Sequence, residues 1–149
     1  MKTSAVAFSL IALFSSALGV PVDSATGTSV SVSYDTAYDD ASGSLSTTAC
    51  SDGDNGLVTK GYPTFGSLPG FPYIGGSPTI PGWNSPNCGA CYALTYEGTT
   101  VYITAVDAAP GGFNIGLTAM NKLTNGQAVA DGRVTATYAP ADASLCLTN

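Results

Sequence analysis

The alternation of apolar and polar side chains predicts β-strands near both ends of the chain. In residues 29–34 the apolar residues Val30, Val32 and Tyr34 alternate with serines. Residues 133–138 repeat this alternation, with an apolar side chain at every second position. A period of two is typical of a strand with one buried face and one exposed face. Both stretches are therefore interpreted as half-buried strands.

Two further patterns predict a hairpin and a helix in the second half of the chain. Residues 91–97 and 99–106 are rich in β-branched and aromatic side chains and meet at the sequence EGT, which favours a tight hairpin. Three apolar residues then recur at the spacing of one helical face, namely Leu117, Met120 and Leu123. Gly126 follows as a helix stop signal.

Residues 61–89 are dense in glycine and proline but also carry large aromatic side chains. Disordered linkers are poor in aromatic residues, so this region predicts an ordered loop system packed on a barrel. Long loops inside compact domains usually have a function. Residues 39–50 favour a short helix before Cys50. The order strand, loops, hairpin, helix, strand predicts a mostly β barrel with one or two short helices.

The first residues have the layout of a secretory signal peptide. A basic start precedes an apolar run over residues 5–14, which is too short to span a bilayer, and small residues follow at Ala17 and Gly19. We predict a signal peptide over residues 1–19, with a cut after Ala17 as the alternative. A flexible leader over residues 20–28 and one domain over residues 29–149 should follow. No later stretch is long and apolar enough for a membrane span.

Charge and residue types exclude several classes of function. The chain has ten acidic and four basic residues, for a net charge of −6. Phosphate binding needs clustered lysine and arginine, so a nucleic-acid partner is not expected. The chain has no histidine, the usual base for a nucleophilic serine or cysteine and a frequent zinc ligand. Its carboxylates are scattered, and neither a metal nor a cofactor is expected.

The four cysteines, Cys50, Cys88, Cys91 and Cys146, predict two disulfides. An even number of cysteines in a secreted chain is typical of a disulfide framework, and four cysteines allow three connectivities. The C-x-x-C spacing of Cys88 and Cys91 does not lie between a strand and a helix, as a thioredoxin-like motif would require.

Asp107 and Asn114 stand at the two ends of a turn with the sequence AAPGGF. Glycoside hydrolysis commonly uses two carboxyl groups that face one sugar bond. Asp107 is interpreted either as a poised carboxylate or as a turn-capping residue. Asn114 is interpreted either as a sugar-binding amide or as the N-cap of the helix that follows. Trp83 and the tyrosines either stack on sugar faces or pack in the core.

The segments that contain these residues resemble the fungal cerato-platanins. The matching segments run in order from Ser31 to Cys146, and they read SVSYD, CSDG, YPTFGSLPGFPYIGG, GWNSPNCGACY and VDAAPGGFNI, followed by the C-terminal cysteine. The resemblance implies a six-stranded double-psi β-barrel with short helices. It also implies the disulfide pairs Cys50–Cys88 and Cys91–Cys146.

The resemblance also implies a function outside the cell. Cerato-platanins are secreted by filamentous fungi and reside in the medium and in the hyphal cell wall. They bind chitin or N-acetylglucosamine oligomers and loosen cellulosic material without measurable hydrolysis. Plants perceive them as elicitors, which implies a cell-surface receptor, and some members are allergens or assemble at surfaces. The expected partners are thus chitin oligomers, cellulose as a further option, and a plant receptor. The protein is expected to be a monomer or to assemble at surfaces, and to have a role in virulence.

Expansins and related endoglucanases carry similar segments on the same barrel. Asp107 corresponds to their first aspartate, and Asn114 stands where the hydrolases have the aspartate that donates the proton. Loss of a general acid costs about 10²–10⁴-fold in rate, so the resemblance implies binding without catalysis. The predicted carbohydrate-binding residues are Tyr34, Asp35, Asp107, Gly111, Gly112 and Asn114.

Two alternatives remain beside this interpretation. A weak glycosidase could use Asp107 with Asp35 as its partner, because Asp35 ends the first predicted strand. A structural surfactant could act through the aromatic loops of residues 61–89, in which case the groove would not matter.

Overall fold

The computed structural model describes residues 27–147, which form a closed barrel of six strands. The strands are β1 (Thr28–Tyr34), β2 (Ile74–Ser77), β3 (Cys91–Tyr96), β4 (Thr99–Ala108), β5 (Phe113–Ile115) and β6 (Arg133–Pro140). Their order around the barrel is β1-β5-β2-β4-β3-β6, and β6 pairs with β1 to close it. The six-stranded barrel is confirmed. The predicted signal peptide lies outside the described residues, and β1 begins at Thr28, the last residue of the predicted leader.

Short helical elements cover the barrel. In the part of the chain that the structure describes, two are α-helices, α1 (Leu117–Leu123) and α2 (Ala128–Asp131), and four are 3₁₀ turns, η1 (Thr36–Asp39), η2 (Leu45–Thr47), η3 (Phe65–Ser67) and η4 (Ala143–Cys146). The predicted α1 is confirmed, and it buries Ala119, Met120 and Leu123. The short helix predicted before Cys50 is the single turn η2. No helix among residues 27–147 has the length and apolar character needed to cross a membrane.

The strands predicted from alternation pair as the barrel requires. β1 runs antiparallel to β6, with Val32 opposite Val134. β3 and β4 form the predicted hairpin, in which Tyr96 pairs with Thr99 across a two-residue loop. Glu97 and Gly98 both have positive φ, 45° and 82°, as a loop matched to the twist of a hairpin requires.

The prediction of loops throughout residues 61–89 was wrong for β2. This strand lies in the barrel wall between β4, to which it is parallel, and β5, to which it is antiparallel. All four of its residues are buried. A Cβ at Gly75 would lie 2.4 Å from the carbonyl oxygen of Asn114. Glycine is therefore required there because the neighbouring strand backbone passes too close for any side chain.

The core lies inside the barrel and under the loops. Phe113 packs edge-on against Tyr138 and Tyr92 at ring-centroid distances of 5.2 and 5.6 Å. Further fully buried side chains come from β1, β2, β3 and β4, namely Val32, Ile74, Leu94 and Ile103. The disulfides Cys50–Cys88 and Cys91–Cys146 are present, so the predicted pairing is confirmed.

Candidate functional site

Asp107 lies near the end of β4, where it pairs with Gly76 of the neighbouring parallel strand β2. Its side chain is half-buried, and its Oδ1 accepts hydrogen bonds from the backbone N–H groups of Ala108 and Ala49, both at 2.8 Å. The bond to Ala108 is the local capping that the sequence suggested. The bond to Ala49 reaches a loop 58 residues away in sequence. Asp107 therefore joins the barrel to the loop before Cys50 as well as capping its own strand.

Tyr38 completes the surroundings of this carboxylate. Its hydroxyl donates to Asp107 Oδ2 at 3.3 Å, and its ring packs on Phe65 with centroids 5.7 Å apart. Burial, then the charge of Asp107 and its hydrogen bond, and last the charge of Asp35, raise the pKa of Tyr38 far above its ordinary value. The hydroxyl thus stays protonated and remains a donor to the carboxylate.

Sequence reasoning missed Tyr38. Its partner is 69 residues away in the chain, and no motif joins the two. The one usable signal was local. Asp35 is a capping residue type at the end of a predicted strand, and an aromatic residue follows it three positions later.

Asp35 and Asp107 line one open cavity of about 380 Å³. Asp35 is exposed and caps η1 by accepting the N–H of Ala37 at 2.9 Å. The wall of the cavity is mostly polar or small, and it includes Tyr38, Asp40, Gly43, Ser44, Thr47, Thr48 and Phe65. The structure thus brings together two of the six residues predicted for the carbohydrate site.

Asn114 lies on β5, on the other side of β2 from Asp107. Both residues pair with Gly76, one from each neighbouring strand. Their Cα atoms are therefore about 10 Å apart, since adjacent strands are separated by a little under 5 Å. Asn114 Oδ1 accepts the hydroxyl of Ser33 at 3.1 Å.

A second, smaller cavity of about 210 Å³ surrounds Asn114. Gly111 and Gly112 lie in its wall, so three of the predicted residues meet here rather than beside Asp107. Arg133 lines the same cavity and donates to Ser31 Oγ at 2.7 Å. Gly112 must be glycine, because its φ is +139° and a Cβ would lie 2.2 Å from the carbonyl oxygen of Ser31.

The alternative role of Asn114 as a helix cap was wrong. The residue at the N-cap of α1 is Gly116, which has no side chain to accept a hydrogen bond. The carboxylate of Asp39, from η1, accepts the N–H groups of Leu117 and Thr118 instead. Asn114 is thereby left free to hold Ser33 and to face its cavity.

Tyr34 and Trp83 have opposite surroundings. Tyr34 is half-buried against the core, pairs with Ile115, and lies in the lining of neither cavity. Trp83 is 63% exposed, so the alternative of core packing was wrong for this residue. Its indole N–H donates to Asp52 Oδ1 at 2.6 Å.

The donors and acceptors around Asp107 suit a neutral, hydroxyl-rich ligand. Carboxylates and serine or threonine hydroxyls can each accept a hydrogen bond from a sugar hydroxyl. Among residues 27–147 no three histidine, cysteine, aspartate or glutamate side chains cluster in a way that could hold a metal ion. The arrangement can therefore bind a polyol through its oxygen atoms.

Comparisons with known proteins point to one family. The family model for cerato-platanin matches residues 30–148. The chain is 62% identical over 142 residues to the allergen Asp f 15 of Aspergillus fumigatus, with 93% of each chain covered. It also resembles the crystal structure of cerato-platanin 1 from M. perniciosa, with 49% identity, a TM-score of 0.76, and coverage of 78% of this chain and 98% of that one. The solution structure of the fungal elicitor cerato-platanin gives 45% identity and a TM-score of 0.72, over 79% of this chain and 97% of that one.

Proposed function

This chain belongs to the cerato-platanin family of secreted fungal proteins, and we propose that it binds chitin oligomers without cleaving them. Its place of action is the fungal cell wall and the surrounding medium. Binding would loosen wall polysaccharide in the manner of an expansin, and plants would perceive the protein as an elicitor. One relative of known structure is described as a fungal elicitor, and this supports the proposed elicitor activity.

The observation that carries the proposal is that hydrogen bonds hold the Asp107 carboxylate in one position. Three protein donors hold it in place, from Ala49, Ala108 and Tyr38, at the edge of an open polar cavity. A fixed, charged acceptor gives strong hydrogen bonds to sugar hydroxyls without further loss of side-chain freedom. The same arrangement needs no movement of the protein on binding.

The residue across β2 supports binding over hydrolysis. Asp107 and Asn114 pair with Gly76 from the two opposite sides of β2. A carboxyl group in place of the Asn114 amide would give β2 one carboxyl group on each side. A side-chain amide does not donate a proton to a leaving group at ordinary pH, so general acid catalysis from this position is absent. Asn114 can still hydrogen-bond a sugar, and its cavity would take a neighbouring unit of the glycan.

A weak glycosidase is the second candidate, and one observation favours it. Asp35 and Asp107 line the same cavity, so two carboxyl groups do meet there. Against it, the position across β2 where a proton donor would flank the same strand is the amide Asn114. Release of reducing ends from chitin during long incubation separates this candidate from pure binding.

The test is an NMR titration of the labelled protein with chitin and cello-oligosaccharides. We expect the amide signals of Ala49 and Ala108 to shift, because both groups donate to Asp107. Asp107→Asn keeps an oxygen for these amides but removes the charge, and it should weaken binding about tenfold or more. Asp131→Asn, an exposed carboxylate on α2, is the matched control and should bind as the unmodified protein does.

Two outcomes would contradict the proposal. If no amide moves at millimolar oligosaccharide, the chain does not bind these glycans at this site. If the unmodified protein releases reducing ends and Asp107→Asn does not, the chain is an enzyme. Wall loosening is read from the same variants on paper strips, and elicitation from the oxidative response of infiltrated leaves.

A further inference from the structure

Trp83 is exposed in a way that packing does not explain. It is the single tryptophan of the chain, and its side chain is 63% exposed. The other large apolar side chains exposed among residues 27–147 are aliphatic, namely Val129, Leu145 and Leu147. An indole ring in water forgoes a large favourable burial, so its exposure costs stability that burial would otherwise supply.

The indole ring is held in place rather than free to move. Its N–H donates to Asp52 Oδ1 at 2.6 Å. The next residue, Asn84, is bound to Asn55 by two hydrogen bonds of 2.9 and 3.0 Å. Gly53 has a φ of +82°, and a Cβ there would lie 3.0 Å from Cζ2 of Trp83. The loop thus presents one fixed aromatic face to solvent.

The surroundings of the ring supply polar groups at its edge. Asp52 lies beside a cavity of about 390 Å³ that Ser46, Ser51 and Val58 also line. The hydrogen bond from Trp83, more than any other contact, holds the pKa of Asp52 below its ordinary value, so its carboxylate stays charged. A flat apolar face bordered by a carboxylate and hydroxyls matches a sugar ring, which has an apolar C–H face and a polar edge. The negative charge disfavours anionic sugars.

One residue connects this surface to the Asp107 cavity. The N–H of Ala49 donates to Asp107, and its carbonyl accepts the N–H of Asn84 at 3.4 Å. The turn η2 lies between the two cavities, with Ser44 and Thr47 on one side and Ser46 on the other. The disulfide Cys50–Cys88 closes the same region. A linear glycan in the Asp107 cavity can therefore continue across η2 to the indole ring.

We propose that Trp83 and Asp52 form a second sugar subsite, which stacks on and hydrogen-bonds a distal unit of the same neutral glycan chain. This inference rests on the proposed function, because it extends the glycan site around Asp107. The second subsite makes affinity depend on oligomer length. Short oligomers occupy the Asp107 cavity alone, and longer oligomers also reach the indole ring.

The test compares oligomer length in two kinds of variant. Affinities for the N-acetylglucosamine dimer and hexamer are measured by calorimetry for the unmodified protein and for Trp83→Ala. We expect the hexamer to bind Trp83→Ala about tenfold more weakly, with little change for the dimer, because one stacking contact is lost. Trp83→Tyr, which keeps an aromatic face, should restore most of the hexamer affinity. Val129→Ala is the matched control, since it truncates another exposed apolar side chain, on α2.

The single tryptophan gives an independent readout. Its fluorescence reports on this subsite alone, so the hexamer should change the emission of the unmodified protein and the dimer should not. If Trp83→Ala binds the hexamer as the unmodified protein does while Asp107→Asn does not, the second subsite is absent and the proposed function stands. Equal losses for dimer and hexamer would also overturn the inference, because Trp83 would then belong to the first site. If the unmodified protein binds neither oligomer, both proposals fall.

Discussion

A single hydroxyl, that of Tyr38, joins the site's chemistry to the stability of the fold. It donates to Asp107 from a buried position, and burial together with the charges of Asp107 and Asp35 raises its pKa. The raised pKa means that the folded protein binds this proton more tightly than the unfolded chain does. Stability must therefore depend on pH in the alkaline range.

The sign of this dependence follows from proton counts. Below the unfolded-state pKa of about 10, Tyr38 is protonated in both states, and its full stabilising effect is present. Above that pH the unfolded chain loses the proton first, so the free energy of unfolding falls until the folded pKa is reached. We expect the contribution of Tyr38 to steepen from about half of its one-proton limit near pH 10 toward that limit, which is about 1.4 kcal/mol per pH unit.

Urea unfolding at a series of pH values from neutral to about 11 measures the decline. Tyr38→Phe should lose this component of the slope, whereas Tyr62→Phe, at a half-buried tyrosine outside the site, should keep it. Equal slopes for Tyr38→Phe and the unmodified protein would show that the Tyr38 hydroxyl is not held as described.

The sequence predicted the site's charged residues but not their supporting residues. Asp107 and Asp35 each lie at the end of a predicted strand, and both line one cavity. Tyr38 and Asp39 act through contacts 69 to 79 residues away in sequence, which no local pattern encodes. The division of the predicted residues between two cavities likewise depends on β2, which separates them.

Among the strands and helices, periodicity predicted the long strands and missed the short ones. β1, β6, the β3–β4 hairpin and α1 each have enough residues for their period to be visible. β2 has four residues with the sequence IGGS, and β5 has three. Such segments show no alternation, and their pairing partners lie far along the chain. The count of six strands therefore came from the resemblance to a family, not from periodicity.

The missed strand β2 is also where the fold tolerates least change. Gly75 lies against the backbone of β5, and the atom nearest to an added Cβ would be the carbonyl oxygen of Asn114, which no rotamer change can move. We expect Gly75→Ala to cost about 3 kcal/mol or more of stability, since β5 or β2 must shift. Gly82→Ala is the matched control, because a Cβ there meets nothing within 4 Å.

Thermal unfolding followed by circular dichroism compares the two glycine variants. Gly82→Ala should melt within a few degrees of the unmodified protein. If Gly75→Ala melts equally close to it, the approach of β2 to β5 is looser than the distance indicates. A loss in both variants would point to a general intolerance of glycine replacement rather than to the contact with β5.

The two disulfides connect different parts of the molecule. Cys91–Cys146 joins β3 to η4 and so fixes this last 3₁₀ turn of the described residues to the barrel. Cys50–Cys88 joins the loop that contains Ala49 to the loop that contains Asn84. Through their hydrogen bonds, these two residues connect the Asp107 cavity to Trp83. One bridge therefore supports the barrel, and the other also shapes the proposed glycan surface.

The two bridges should accordingly separate stability from binding. They link residues 38 and 55 positions apart, and loop-closure entropy assigns each about 4 kcal/mol of stability, a large part of a small domain's total. Replacing either cysteine pair by alanines should lower the melting temperature by a similar amount. At a temperature where both variants remain folded by circular dichroism, we expect only Cys50→Ala/Cys88→Ala to lose affinity for the N-acetylglucosamine hexamer. Cys91→Ala/Cys146→Ala is the matched control, because it loses the same kind of covalent link between β3 and η4, neither of which lines the Asp107 cavity or the cavity beside Asp52. Equal losses of affinity would mean that binding follows global stability, and that the loops around Ala49 need no bridge of their own to form the surface.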